Sequence, residues 1–416
     1  MRRAVVVGSG AREHALAWRL GATATVTVTP GNAGIAAHGV ACTETPATDL
    51  DAELFVIGPE APLVDGLADR LRAQGKVVLG PGADGARLEG SKAYLKAFLS
   101  AAGVPTAAYG AFSSYDDAVA RLHSMSPPYV IKTDGLAAGK GVLVTPDLDE
   151  AIADVREKLS GAAFGPAGAT VVIEEGLTGE ECSLLYLCDG ATVAPFAPAQ
   201  DFKRVGDGDL GANTGGMGAY APMASMAGDR EAEVRAAILE PTLVELARRG
   251  IEFRGVLYAG VMLTDTGPRL LEYNVRFGDP ETEALMGVVS GDLFDRLRAF
   301  GEGRGTPDPL DASGAAVTVV LASPGYPAAP RTGGVIEGLA PNGQLARPVE
   351  GVVLFHAGTA RDAEGRFVTA GGRVLAVTAV GSSLTEARDR AYRACALVTF
   401  EGMVMRTDIA ARAGQP

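Results

Sequence analysis

An apolar run, AVVV at residues 4–7, passes through a glycine turn into the helical stretch REHALAWRL. That order of elements constrains the fold more than any other feature of the chain, because it recurs. Further strands fit residues 24–28, 54–57 (LFVI) and 77–79, with a helix from about 62 to 73 between the last two. Strands alternating with helices predict a parallel, doubly wound sheet. The turn itself, GSGARE, carries Gly8 and Gly10, but Glu13 stands where a dinucleotide-binding turn wants a third small residue. Two readings stay open: a tight strand-to-helix turn, or a phosphate site at a helix N-terminus. An NAD-dependent dehydrogenase rests on this turn alone.

A second feature is RLLEYNVRFGDPETEAL, residues 269–285. Side chains alternate along a strand, so Glu272, Asn274 and Arg276 share one face while Leu271, Tyr273 and Val275 share the other. A carboxylate and an amide oxygen in line suit a hard cation such as Mg²⁺, and a guanidinium beyond them suits a phosphate bound to it. An edge strand with a solvated polar face is the equal alternative.

At 416 residues the chain has room for about two to four domains. Its net charge of −13, with no basic block or stripe, argues against nucleic acid as a partner. Cys42, Cys182, Cys188 and Cys395 lack metal-ligand spacing and suggest a reducing compartment. His14, His38, His123 and His356 are scattered, so no zinc site is expected. The apolar start is too short for a signal peptide, and no run of about eighteen apolar residues could span a membrane. The expected location is the cytoplasm, the expected state a monomer, with no fused second enzyme. Arginine carries most of the basic charge; lysine occurs only at positions 76, 92, 96, 132, 140, 158 and 203. A chain that otherwise uses Arg but keeps Lys at a few places points to a need for a compact ammonium there.

Lys92 and Lys96 lie one helical turn apart in SKAYLKAFL, and the strand YVIK ends in Lys132. The loop DGLAAGKGV follows, with Gly139, Lys140 and Gly141. Its glycines let backbone N–H groups approach phosphate oxygens and its lysine neutralises them, although it is not a P-loop. A phosphate cover is favoured over a plain glycine hairpin. VVIEEGLTGEECSLLYL reads as two strands around a turn at Gly179; its edge backbone suits an adenine and its acids a ribose, but surface glutamates after a turn are common. Residues 200–220, QDFKRVGDGDLGANTGGMGAY, have no periodicity and many recognition groups, so an ordered binding loop is favoured over disorder. A mostly helical span covers 229–249, strands follow at 256–263 and 269–275, and the part from about 325 offers strands at 351–356 and 373–380 and a helix at 383–398. That last part shows no chemical cluster.

The order of lysine-bearing helix, VIK strand, glycine loop, EExL–GEE strand and E-x-N strand resembles the ATP-grasp enzymes. Within them, GSGAREHA, GPEAPL, SKAYLKAFL–GVPTA, IKTDGLAAGKGV, the QD–KRVGDGD–NTGGMGAY loop and RFGDPETE resemble the phosphoribosylamine–glycine ligase family, over residues 1 to about 410. RFGDPE with NTGGMGAY is specific to that family; the glycine loop marks only the superfamily. The resemblance implies an α/β and α+β multidomain fold. A doubly wound, Rossmann-like domain would span 1–100, an ATP-grasp domain 101–325 with a small mobile lobe at about 126–190, and a small C-terminal domain 326–416. It implies ATP and Mg²⁺ (or Mn²⁺) as cofactors, and glycine and 5-phosphoribosylamine as substrates joined through glycyl phosphate.

The roles implied follow the motifs. Lys96 and Lys132, with Lys92 behind them, would meet ATP phosphates. The backbone from Glu174 through Glu175 to Leu177 would hold adenine, and Glu181 the ribose. Glu272 and Asn274 would carry the metal, and Arg276 would brace the transferred phosphoryl group. Asp201, Asn213, Gly215, Gly216, Asp279 and Glu281 would line the acceptor site, with Gly8, Gly10, Arg12 and Glu13 facing the sugar-phosphate amine. Three positions depart from the pattern: Gly260 where many relatives have an acidic metal ligand, Phe202 for His, and Tyr273 for Phe. The rival readings are another carboxylate–amine ligase or carboxylase of the superfamily, and a nucleotide sensor with a dead ATP site.

Overall fold

The computed structural model describes residues 2–136, 141–161, 169–226 and 228–413. Its first sheet is parallel and five-stranded, in the order Ala41–Cys42, Thr25–Pro30, Arg3–Gly8, Leu54–Ile57, Val78–Leu79. Strand order reverses at Arg3–Gly8, which opens a crevice at the carboxyl end of that strand, beside Gly8 and Gly10. The helix expected over 62–73 is two helices, Glu60–Val64 and Leu67–Ala73. Gly66 separates them with a left-handed φ of 76°, which a helix interior does not accept.

A four-stranded antiparallel sheet follows, ordered Tyr109–Phe112, Val171–Glu175, Tyr129–Thr133, Val142–Thr145. With helices Tyr115–His123 and Leu148–Leu159 it closes a core of its own around Leu122, Ile131, Val155 and Ile173. This lobe starts earlier and ends sooner than the 126–190 expected. Tyr109–Phe112 belongs to it, while Glu180–Asp189 crosses to the next sheet. The crossing turns on Gly179, packed so tightly on the Leu263 carbonyl that any Cβ would overlap it.

The central sheet is antiparallel, ordered Val193–Pro195, Glu180–Asp189, Arg254–Thr264, Gly267–Asn274. The last large sheet runs Gln200–Asp201, Gly218–Ala221, Ala315–Ala322, Arg373–Gly381, Val352–His356. It therefore starts before the boundary expected after residue 325. The segment AAVTVVLA is buried at every position, so no alternation marks it as a strand. The two ends of the 200–220 loop form one edge of this sheet, which ties the loop to the C-terminal part.

The helical span over 229–249 holds a π turn at Arg235–Leu239 between Asp229–Val234 and Glu240–Arg248. Pro241 explains it: with no N–H to donate and a ring that clashes with the carbonyl a turn earlier, it cannot sit in an unbroken α register. Three of the four histidines meet in space, while His123 ends a helix of the small lobe. The His356 backbone N–H donates to His14 Nδ1 at 2.9 Å, and His14 Nε2 lies 2.9 Å from His38 Nδ1, across the junction of the first and last sheets. All four cysteines are free. Among the described residues, no helix is long and apolar enough to cross a membrane.

Candidate active site

The strand Gly267–Asn274 forms the floor of a cleft of about 1280 Å³ that touches all parts of the molecule. Its alternation is broken. Glu272 faces Gly260 and Leu270 faces Val261, leaving Leu271 as the extra residue of a β-bulge. Leu271, expected on the core face with Tyr273 and Val275, turns to line the cleft, and Leu270 takes the core position. Glu272, Asn274 and Arg276 do reach the cleft together.

Four cations surround the Glu272 carboxylate. Burial alone would raise its pKa; Lys203, Lys132, Lys92 and Arg276 outweigh that and bring it down to about 2. Asn274 Oδ1 accepts from Arg276 Nη2 at 3.0 Å and keeps a second lone pair. A charged carboxylate and an amide oxygen on one strip are a donor set that fits a hard divalent ion. Arg276 Nη2 also donates to Glu89 at 2.8 Å and Nε to Glu60 at 3.2 Å, so this guanidinium joins the floor to the first domain.

Among the expected lysines, Lys92 and Lys132 line the cleft and Lys96 does not. Lys132 Nζ lies 2.9 Å from Glu174 Oε1 and 3.3 Å from the Leu271 carbonyl. The Lys96 ammonium is buried behind Glu174, 3.0 Å from Oε2, and donates to Thr106 Oγ1 at 2.7 Å. Burial drives its pKa down to about 8 against the pull of Glu174. The Glu174 side chain, a carboxylate between two ammoniums, went unread in the sequence, where only its backbone drew notice. Lys92 donates to the Gly135 carbonyl at 3.1 Å. Gly141, Glu175, Leu177 and Glu181 also line the cleft. Gly139 and Lys140 lie outside the described residues.

At the other end, Asp279 pairs with Arg373 at 3.0 Å, and Arg373 also donates to the Asp279 carbonyl at 2.8 Å. Glu281 accepts from Tyr258 and, at 3.0 Å, from Ser183. Asp201 reaches the cleft with Oδ1 unpartnered; burial, then the nearby Glu281, raises its pKa well above the carboxylate range. Asn213 and Gly215 line this end; Gly216 does not, but its φ of 110° sets the turn against Pro280. The loop is an ordered hairpin, Arg204–Gly206 against Leu210–Asn213. Arg406 bonds Asp209 and Asp408 at 2.7 Å each and stacks over the Phe202 ring at 4.9 Å. The C-terminal part thus supplies Arg373, Arg406 and Asp408 to the cleft wall, contrary to its chemically blank sequence. Those residues lie far apart in the chain and only the sheet assembles them.

In the first domain only Arg12 of the four residues singled out lines the cleft. Glu13 is buried under the glycine turn, accepting from the Gly10 N–H at 2.6 Å and from Arg12 Nε at 2.6 Å. Its carboxylate occupies the N–H that a bound phosphate would use, so Glu13, Gly8 and Gly10 shape the turn that presents Arg12.

Comparison with known proteins bears on this architecture directly. Family profiles match three stretches of the chain: Phosphoribosylglycinamide synthetase, N domain over 2–89, ATP-grasp (A) domain over 90–282 and C domain over 316–412. The chain belongs to the phosphoribosylglycinamide synthetase family. The phosphoribosylamine–glycine ligase of Xylella fastidiosa (strain 9a5c) is 46% identical over 430 residues, spanning 98% of this chain and 96% of that protein. That of Caulobacter vibrioides is 46% identical over 425 residues, spanning 99% and 98%. The crystal structure of phosphoribosylamine–glycine ligase from Thermotoga maritima superposes with a TM-score of 0.84 at 36% identity, over 98% of this chain and 100% of that one. As a member of this family the chain is an ATP-using carbon–nitrogen ligase of purine biosynthesis. The expected fold class stands with it: a five-stranded parallel sheet, an ATP-grasp domain and a small C-terminal domain.

Proposed function

We propose that the cleft joins glycine to 5-phosphoribosylamine in two steps on one floor. In the first, a glycine carboxylate oxygen attacks the γ-phosphorus of ATP and ADP leaves, giving glycyl phosphate. In the second, the amine nitrogen attacks the acyl carbon, phosphate leaves, the nitrogen loses a proton, and glycinamide ribonucleotide results. Both steps need positioning and charge neutralisation rather than a side-chain nucleophile. The observation that carries this reading is the convergence of Lys92, Lys132, Lys203 and Arg276 around one charged carboxylate, Glu272.

Lys132 meets the ATP phosphates, with Lys96 acting from behind Glu174. The backbone of Glu174, Glu175 and Leu177 takes adenine, and Glu181 the ribose. Glu272 and Asn274 would hold Mg²⁺ or Mn²⁺, which when bound would supply neutralisation of phosphate charge. Arg276 orients the phosphoryl group. Asp201, Asn213, Gly215, Asp279 and Glu281 receive the acceptor end, and Arg12 the sugar phosphate. The protein works in the cytoplasm as a monomer, with small molecules rather than nucleic acid or membrane as its partners.

The test is ADP release with Mg²⁺-ATP, omitting glycine and then in-situ phosphoribosylamine. The expected result is ADP only when both are present, in step with glycinamide ribonucleotide. ADP formed with another amine or acid would reassign the acceptor.

A further inference from the structure

Lys203, one of the four cations around Glu272, is given no ligand of its own in the scheme above, yet it links Glu181 to Glu272. Its ammonium is bonded to Glu181 and lies 3.5 Å from Glu272 Oε1. We propose that Lys203 and a divalent cation compete for Glu272, so that the floor takes the ion only together with a nucleotide, whose phosphates give the displaced ammonium a new partner. This rests on the reading of Glu272 as a metal ligand.

Three observations carry it. First, the root of Lys203 is fixed while its end is not. The Lys203 carbonyl accepts from the Thr214 N–H and from Thr214 Oγ1, each at 2.8 Å, and Phe202 beside it is bonded to the backbone of Met217 and Gly218. The side chain beyond remains 28% exposed, which leaves its flexible stem room to pivot. Second, Gly260, which faces Glu272 across the strand pair, brings no side-chain partner to it, and Lys203 Nζ lies within ion-pair distance of that carboxylate, 3.5 Å from Oε1. Third, the chain uses arginine almost everywhere else for positive charge. A compact ammonium on a four-carbon stem can leave one carboxylate for a phosphate, whereas a guanidinium fork locks onto it.

The physical cost is plain. A dication placed beside a carboxylate already paired with an ammonium meets repulsion that bulk water would screen more strongly than a protein cleft does. Once triphosphate oxygens are present, the ammonium has somewhere better to go.

The experiment measures Mn²⁺ binding to the full chain by electron paramagnetic resonance, with and without a non-hydrolysable ATP analogue. It compares the unmodified protein with Lys203→Met and Lys203→Arg. Without nucleotide, Lys203→Met is expected to bind Mn²⁺ about tenfold more tightly than the unmodified protein, and Lys203→Arg no more tightly. With the analogue, the gap between Lys203→Met and the unmodified protein should narrow. Lys203→Met binding Mn²⁺ no more tightly, with thermal unfolding unchanged, overturns the proposal; Lys203→Gln takes its place if the Met variant does not fold. Glu272→Gln separates the two layers of the argument. If it retains the full Mn²⁺ affinity, Glu272 is no ligand, and the underlying reading fails rather than the competition alone.

Discussion

Arg373 Nη1 lies 3.0 Å from Asp279 Oδ1, so a residue of the C-terminal sheet fixes the acid that ends the cleft floor. The same guanidinium holds the Gly215 carbonyl at 2.5 Å, gathering floor, loop and C-terminal domain at one point.

Replacing Arg373 with Gln should therefore do two things. It leaves Asp279 without its partner, at a cost of about 3 kcal/mol in urea unfolding. It should also raise KM for glycine well above any change in KM for ATP, since the nucleotide end does not touch Arg373. Equal changes in both would place Asp279 outside the acceptor site.

Glu174→Ala removes the carboxylate that separates Lys96 from Lys132. Two ammoniums left together destabilise the fold by roughly 3–5 kcal/mol. Triphosphate should then substitute for the lost charge, so ATP is expected to raise the melting temperature more in the variant than in the parent. A smaller rise would mean that the lysines do not meet phosphate.

Lys96 must be charged to act on a nucleotide, and its pKa is pushed down to about 8. The charged form is lost as pH rises through that value, so kcat/KM for ATP should fall on the alkaline side, because this ratio reports the free enzyme. In Lys96→Arg, whose guanidinium stays charged, the limb should move to higher pH. A limb that stays put belongs to another group.

Glu272→Gln and Asn274→Ala are each expected to lower turnover by about 10²–10³-fold while unfolding stays cooperative. Normal activity in both would remove the floor from the mechanism.

The histidine cluster predicts acid sensitivity. Burial holds His356 neutral down to about 4 and lowers His14 and His38 as well. An unfolded histidine takes its proton near about 6.5, so above that pH neither state binds it. Between there and about 4 the unfolded chain gains protons that the folded one refuses, and stability falls as pH falls, by about 3 kcal/mol for His356 alone. Urea midpoints at pH ~7.5 and pH ~5 should show the loss. Proton NMR titration in which His356 protonates near the ordinary value would contradict it.

Much of this architecture was legible in the chain. Helix–strand alternation marked the parallel sheet, and the polar alternation at Glu272, Asn274 and Arg276 marked the floor. What escaped was of three physical kinds. The bulge at Leu271 depends on pairing with Gly260 and Val261, which no single strand reveals. Spacing places Lys96 and Glu13 on a face but does not show what stands in front of them: Glu174 before the first, the Gly10 N–H and Arg12 before the second. Arg373, Arg406 and the histidine trio come together only through long-range topology, and Ala315–Ala322, buried throughout, carries no alternation to read.

Arg276 has a consequence for how such a protein changes over generations. Its partners Glu60 and Glu89 belong to the first domain, while Arg373 reaches back from the last. A domain exchanged with a distant relative would bring half of each pair and strand the other half. A recombinant therefore keeps these contacts only where both sides of a seam travel together or the incoming domain carries the same residues.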